Sequence, residues 1–329
     1  MGAALALSER GRGRTRPNPN VGCVIVAEGC VVGRGWTQAG GRPHAEAVAL
    51  AQAGAKSRGA TAYVTLEPCA HQSARGPACS DLLVAAGVTR VVVAMRDPDP
   101  RTDGAGTARL AAAGIAVKTG VREGEARRAM AGFLTRRAQG RPHVTLKLAT
   151  SLDGRIALPS GESRWITGPE ARAHAHLERS RHEAILVGRG TWEIDAPKLD
   201  VRLPGLEMQA PTRVVLSSAP VLSPDVLTIA TPQDIGSLPV DHLLVEGGAA
   251  TAAAFLRADL ADRLLLYRAP ILIGDGRASI EGLDLTSLSG AHGRWRLHDA
   301  RALGSDRLEV YERRREIVCS PESSATSGA

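Results

Sequence analysis

The chain has 329 residues, of which 43% are hydrophobic and only 3% aromatic, and it carries a net charge of +7. The length is about twice that of an ordinary domain, so two domains are expected, with cores of Ala, Val and Leu. The charge suits anionic partners, and the lack of a stripe of interleaved basic and aromatic residues favours small phosphorylated molecules over nucleic acid.

Met1 to Leu7 is apolar but short and runs at once into Arg-rich polar sequence, unlike a secretory signal. No apolar run approaches the roughly 18 residues that a membrane span needs. The five cysteines, Cys23, Cys30, Cys69, Cys79 and Cys319, are odd in number and irregularly spaced. That usage points to a reducing cytoplasm and away from a disulfide framework.

In chain order, Val21 to Trp36 reads as two β runs around the turn Glu28-Gly29. Pro43 is expected to open an Ala-rich helix ending near Ala53, with Gly54 as its stop. The segment "ATAYVTLEP" is a strand, and "SDLLVAAGV" a helix capped by Ser80 or Asp81 and ended by Gly87. "RVVVAM", a loop and "TARLAAAGIAV" continue the alternation, which implies a largely parallel sheet covered on both faces. A polar break at Gly140, Arg141 and Pro142 divides residues 1–140 from 141–313. The second part alternates again through "EAILVGRGT", "TRVVLSS", "HLLVEGG", "RLLLYRAPILIG" and "DRLEVYERR", and 314–329 reads as a frayed, disordered tail.

His44 and Glu46 stand at the first helix start, and Cys69 and Cys79 follow the next strand. A lone His-Ala-Glu or Pro-Cys is a weak signal, but in this order the set matches the H-x-E…P-C pattern of zinc deaminases. One imidazole and two thiolates give Zn2+ three ligands and leave a fourth position for water, whose proton is lost near neutrality. Glu46, beside the metal and not on it, is the candidate proton carrier. Two residues subtend about 200° on a helix, so periodicity does not put His44 and Glu46 on one face. Cys79 opens another helix, where the dipole favours a thiolate. A purely structural zinc site is the alternative; it requires a fourth protein ligand, for which His71 is the nearest candidate, and gives no use to Glu46. Cys23 and Cys30 read as small buried apolar residues, and Cys319 as idle.

In the second part, Gly188-Arg-Gly190-Thr191 follows an apolar strand but lacks the third glycine of a dinucleotide fingerprint, so that reading is rejected. The turn Glu246-Gly247-Gly248 before an Ala-rich helix could cradle a phosphate on backbone N–H groups, or be an ordinary strand–helix turn. His174 and His176 lie on a charged helix face and are expected in solvent.

The motifs "RTRPNPNVGCVIV", "PHAEAVAL", "AYVTLEPCAH", "LKLATSLDGRIAL" and "LLVEGG" resemble the bifunctional deaminase/reductase of riboflavin biosynthesis, from Ala3 to about Arg313. The resemblance implies a cytidine-deaminase-like three-layer α/β/α domain followed by a dihydrofolate-reductase-like α/β domain. The first would use zinc to deaminate a phosphoribosylated diaminopyrimidinone, and the second would use NADPH to reduce the ribose to a ribityl chain. The resemblance also places Asn18 on the pyrimidine ring and Arg75 on the substrate phosphate. The family usually has one residue fewer between the two cysteines, and "SARG" (Ser73 to Gly76) occupies the altered loop. Thr37 stands where histidine is common, so that residue's contact is expected to be missing.

By the same likeness Ala149, Trp165, Thr191, Asp195 and Gly248 would bind the nicotinamide cofactor. Ser163, Arg179, Leu199, Arg202 and Glu246 would hold the substrate, the arginines on its phosphate. Lys147 and Asp153 would shape the same pocket. Where the family commonly reads Asp-Asp-Pro, this chain has Asp195-Ala196-Pro197, and Asp195 is expected to be the residue that counts. The expected partners are phosphorylated pyrimidines, with no nucleic acid and no membrane, in a homo-oligomer. Two rivals stay open: a zinc deaminase for another nucleobase or nucleoside with a non-catalytic second half, and a zinc-stabilised nucleic-acid-binding protein.

Overall fold

A computed structural model describes residues 1–71, 75–221 and 223–315. In chain order, the first stretch holds α1 (Gly2–Ser8), the hairpin β1 (Gly22–Ala27) and β2 (Cys30–Trp36), α2 (Ala45–Ala53) and β3 (Thr61–Val64). It continues with α3 (Cys79–Ala85), β4 (Arg90–Val93), α4 (Ala105–Ala112), β5 (Ala116–Lys118), α5 (Glu123–Ala129) and α6 (Ala131–Gln139). Next come β6 (His143–Thr150), β7 (Arg155–Ala157), α7 (Pro169–Arg179), β8 (Ala184–Gly188), α8 (Arg189–Asp195), β9 (Thr212–Leu216) and β10 (Val226–Ile229). The remainder is β11 (His242–Val245), α9 (Ala249–Arg257), β12 (Arg263–Arg268), β13 (Arg277–Ala278), β14 (Trp295–Leu303) and β15 (Asp306–Arg313).

These elements form two compact units that cut the chain differently from the sequence break near residue 140. One holds Met1–Val144 with Ala173–Val245; the other holds Thr145–Arg172 and the chain from Glu246 onward.

In the first unit, a five-stranded sheet runs in the order β2-β1-β3-β4-β5. The β3, β4 and β5 strands are parallel, whereas β1 is antiparallel to both neighbours, so the sheet is mixed and not largely parallel. The core is aliphatic, as the composition required: Val24 and Ile25 on β1, Val64 on β3 and Val91 and Val93 on β4 are buried, with Ala45, Ala49 and Ala53 on α2. The small α2 residues let the helix lie almost on the backbone of β2. A Cβ at Gly33 would fall 2.2 Å from the Ala49 carbonyl oxygen, and one at Gly35 2.1 Å from that of Ala45. Only glycine permits that spacing, and it fixes where the first turn of α2 sits.

The same unit contains four parallel strands in the order β10-β9-β8-β11. Arg12 and Glu178 form a buried ion pair. The Arg136 guanidinium donates to the carbonyls of Gly140, Gly236, Leu238 and Val240. His242 stands edge-on to His143 and His182, with ring centroids 6.1 and 5.9 Å away. The second unit carries the order β6-β12-β15-β14, with β6 and β12 parallel and the rest antiparallel, and a short β7–β13 pair.

Several local expectations are corrected. The helix after Pro43 starts two residues later, because His44 is its extended N-cap (φ −71°, ψ 161°). Neither Ser80 nor Asp81 caps α3. Ala78 is the N-cap, the Ser80 hydroxyl donates to the Cys69 carbonyl, and Asp81 pairs with Arg109. Cys23 is buried, but Cys30 opens the sheet-edge strand directly after the turn and is exposed. His176 is half-buried, and its Nδ1 lies 3.1 Å from the Asp200 carbonyl and 3.3 Å from the Arg202 nitrogen. Cys319, Ser73, Ala74 and the tail beyond residue 315 lie outside the described residues.

Candidate active site

The extended backbone of His44 takes the residue off the helical period, so its imidazole and the Glu46 carboxyl, on the first turn of α2, can serve one centre. The β3 strand delivers Glu67-Pro68-Cys69 beyond its end, and α3 begins on Cys79 itself. The Nδ1 atom of His44 lies 3.3 Å from Cys79 Sγ and 3.7 Å from Cys69 Sγ. The three donor atoms all fall within 4.8 Å of one another. The backbone N–H of Cys79 donates to Cys69 Sγ at 3.3 Å, a contact that favours a thiolate at Cys69.

Cys69 is lowered to about 4, first by its hydrogen bond with Cys79, while Cys79 is pushed well up by the same bond and by burial. Opposite shifts of this kind describe one charge divided over a pair, and a dication between the sulfurs favours both as thiolates. One imidazole and two sulfurs are a borderline-soft donor set that fits zinc. Among the described residues the cluster has no fourth protein donor: His71 faces the Thr102 hydroxyl, its Nδ1 at 3.4 Å.

Glu46 is 3% exposed, and burial raises its carboxyl to about 7 against the opposing pull of His44. A carboxyl poised near neutrality can both take and give a proton. The cluster opens into a cavity of about 340 Å³ lined by Asn18, Thr37, Glu46, Glu67, His71, Arg75, Asp97, Asp99 and Arg101, among others. Asn18 Nδ2 donates to the Gly41 carbonyl at 2.8 Å and lies 2.9 Å from His44 Nε2. The Arg75 guanidinium donates to the Gly40 carbonyl at 2.6 Å on the cavity rim. The Thr37 hydroxyl accepts the Val21 N–H at 3.0 Å, so it serves the hairpin backbone. Sequence reasoning missed Glu67, Asp97, Asp99 and Arg101; the run "RDPDPR" after a strand was the available signal for the last three.

The reductase candidates are distributed over the two units. In the first, Thr191 and Asp195 lie on α8, with Asp195 exposed. Arg179 Nη1 donates to the Asp200 carbonyl at 3.0 Å, and Arg202 pairs with the Asp200 carboxylate at 3.2 Å. Leu199 is 4% exposed and packs with Ile185, Val187, Val215 and Leu244, so its side chain is committed to a core. Ala196 closes α8 in the left-handed region (φ 40°, ψ 53°), which Asp and Asn occupy more readily than alanine.

In the second unit, Lys147 and Ala149 point to one face of β6, and Lys147 Nζ lies 3.8 Å from Glu246. Ser163 and Trp165 are exposed, with the Arg172 guanidinium 4.8 Å from the Trp165 ring centroid. The Asp153 carboxylate accepts the Ser151 hydroxyl and the N–H groups of Ile273 and Gly274. Gly248 is the N-cap of α9 and supplies no side chain to its free amides. A Cβ at Gly247 would fall 2.4 Å from Thr251, so the turn stays bare. An anionic cofactor group fits such a helix start.

A donor trio beside a protonatable carboxyl, followed by a second α/β part with a glycine turn before a helix, defines a zinc-type deaminase joined to a second, cofactor-type part. The comparisons agree. The description "Cytidine and deoxycytidylate deaminase zinc-binding region" matches residues 1–95, and "RibD C-terminal domain" matches residues 142–308. The riboflavin biosynthesis protein RibD of Escherichia coli is 41% identical, over 86% of this chain and 91% of its own. That of Mycobacterium tuberculosis is 39% identical, over 94% and 95%.

Two solved structures are similar over nearly the whole chain. Acinetobacter baumannii RibD is 37% identical with a TM-score of 0.83, covering 96% of this chain and 98% of its own. A diaminohydroxyphosphoribosylaminopyrimidine deaminase/5-amino-6-(5-phosphoribosylamino)uracil reductase from Thermotoga maritima is 32% identical with a TM-score of 0.85, over 95% and 97%. The chain belongs to the RibD family of riboflavin biosynthesis proteins.

Proposed function

We propose that the chain performs two successive reactions. The first is zinc-dependent hydrolytic deamination of 2,5-diamino-6-(5-phosphoribosylamino)pyrimidin-4-one. The second is NADPH-dependent reduction of the ribosyl side chain to ribityl. The observation that carries the reading is the convergence of His44, Cys69 and Cys79 beside the buried Glu46 in one cavity.

His44, Cys69 and Cys79 would hold the zinc, which when bound polarises water and lowers its pKa. Glu46 holds a proton at its carboxyl oxygen and passes it between the attacking water, the ring nitrogen and the departing amine. Asn18 would orient the pyrimidine, and Arg75, on the rim, would meet the phosphate. Residues 1–140 are assigned this half and 141–313 the reductase half, in which a bound nicotinamide supplies hydride. Ala149, Trp165, Thr191, Asp195 and Gly248 are proposed to hold that cofactor. Ser163, Arg179, Arg202, Glu246 and the Leu199 backbone would align the sugar for transfer.

A non-catalytic second half is disfavoured by the RibD C-terminal match. The four cysteines among the described residues are free, which supports a reducing compartment such as the cytoplasm. No helix among the described residues is long and apolar enough to cross a membrane. A homo-oligomer is proposed on the family resemblance alone. Metal analysis combined with separate assays of each half-reaction tests the whole reading: zinc-free protein, or loss of either half-reaction, counts against it.

A further inference from the structure

Glu67 is 2% exposed and forms no salt bridge among the described residues. A buried carboxylate without a cation is costly unless donors replace its water. Three backbone amides do. Oε2 accepts the N–H of Asp97 at 3.3 Å and of Gly104 at 3.0 Å. Oε1 accepts the N–H of Thr107 at 3.0 Å, while the Thr107 hydroxyl, 3.3 Å from Oε1, donates at the shorter 2.9 Å to the Gly104 carbonyl. The backbone around it is equally tied: Glu67 N–H donates to the Met95 carbonyl at 2.9 Å, and a Cβ at Gly106 would fall 1.9 Å from the Pro68 oxygen.

Between those anchors runs the segment that walls the deaminase cavity. The Asp99 N–H donates to Asp97 Oδ1 at 2.9 Å, and Arg101 donates to Asp99 through its backbone N–H at 3.0 Å and its guanidinium at 2.6 Å. Asp97, Asp99 and Arg101 all line the cavity. The wall is therefore braced within itself, and Glu67 is its link to the turn that carries Cys69, two residues on.

We infer that Glu67 is a positioning residue for the deaminase substrate: its carboxylate sets the Asp97–Arg101 wall at a fixed distance from the His44–Cys69–Cys79 cluster. The inference rests on reading that cavity as the deaminase site. Glutamine has one acceptor oxygen, so Glu67→Gln can satisfy either the Asp97 and Gly104 amides or the Thr107 amide. The other side then faces an NH₂ group, and the wall shifts.

The test is Glu67→Gln in the full chain, with deaminase kcat and KM, zinc per chain and reductase kinetics measured together. The expected result is a KM for deamination raised about 10- to 100-fold, with zinc content and the reductase step unchanged. An unchanged KM overturns the inference, and so does lost zinc or a fall in kcat alone. Glu67→Asp keeps the charge and shortens the reach by one methylene; it is expected to show the same split more weakly. If neither variant folds, Glu67 holds the fold and not the cavity, and the inference fails. Wild-type protein releasing no ammonia would instead bring down the deaminase reading itself.

Discussion

His44 Nδ1 and Cys79 Sγ stand 3.3 Å apart although 35 residues separate them in the chain. The contact joins an extended N-cap to the first residue of another helix, so neither partner depends on a flexible loop. Cys79→Ser is expected to remove zinc and abolish deamination while the reductase half-reaction persists. Metal analysis and the two assays check this, and full zinc retention would contradict the ligand assignment.

Glu46→Gln keeps the shape and removes the titrating proton. Ammonia release is expected to fall by about 10²- to 10⁴-fold with zinc content unaltered. Near-normal turnover would take the proton-carrying role away from Glu46.

Arg202→Ala tests the other half. The Arg202 guanidinium is well exposed and is held by Asp200 at 3.2 Å, so it can meet a phosphate without unfolding anything. The KM of reduction is expected to rise about tenfold or more, as for the loss of a charge-assisted hydrogen bond. A KM equal to that of the wild type would argue against phosphate contact.

Glu183 makes stability depend on pH. Its carboxylate accepts the N–H groups of His242 at 2.7 Å and Asp241 at 3.2 Å, yet burial raises it from 4.5 to about 7. Asp241 is raised beside it, also by burial, with Arg16 and Arg136 opposing. The folded chain thus binds this proton more tightly than the unfolded one. The contribution is full below about 4.5 and is lost as pH rises towards about 7, at a slope of at most about 1.4 kcal/mol per pH unit. Glu183→Gln should flatten denaturant-measured stability across that window; identical slopes in both proteins would refute the assignment.

The donor trio was legible in the sequence because each member sits at the boundary of an element that its neighbours announce. Pro43 and the Ser80–Gly87 helix mark their boundaries to within about two residues, whereas the strand read as "ATAYVTLEP" ends at Val64, four residues earlier than expected. Glu67 was not legible, because its role is set by amides 30 to 40 residues later, at Asp97, Gly104 and Thr107. The β14 strand also escaped notice: most of its residues are exposed, and the apolar–polar alternation of "WRLHDARAL" slips phase at His298–Asp299, where the register with β15 also shifts. The union of Met1–Val144 with Ala173–Val245 depends on partners such as Arg12 and Glu178, 166 residues apart, which no local pattern reveals.

The bare backbone of Gly35 against Ala45 has a consequence for heredity as much as for packing. One added methyl there would lever the helix outward and carry the imidazole and the acid away from the sulfurs. In a survey of random variants, a harmless-looking Gly35→Ala would be scored among the catalytic lesions, although it touches neither metal nor substrate.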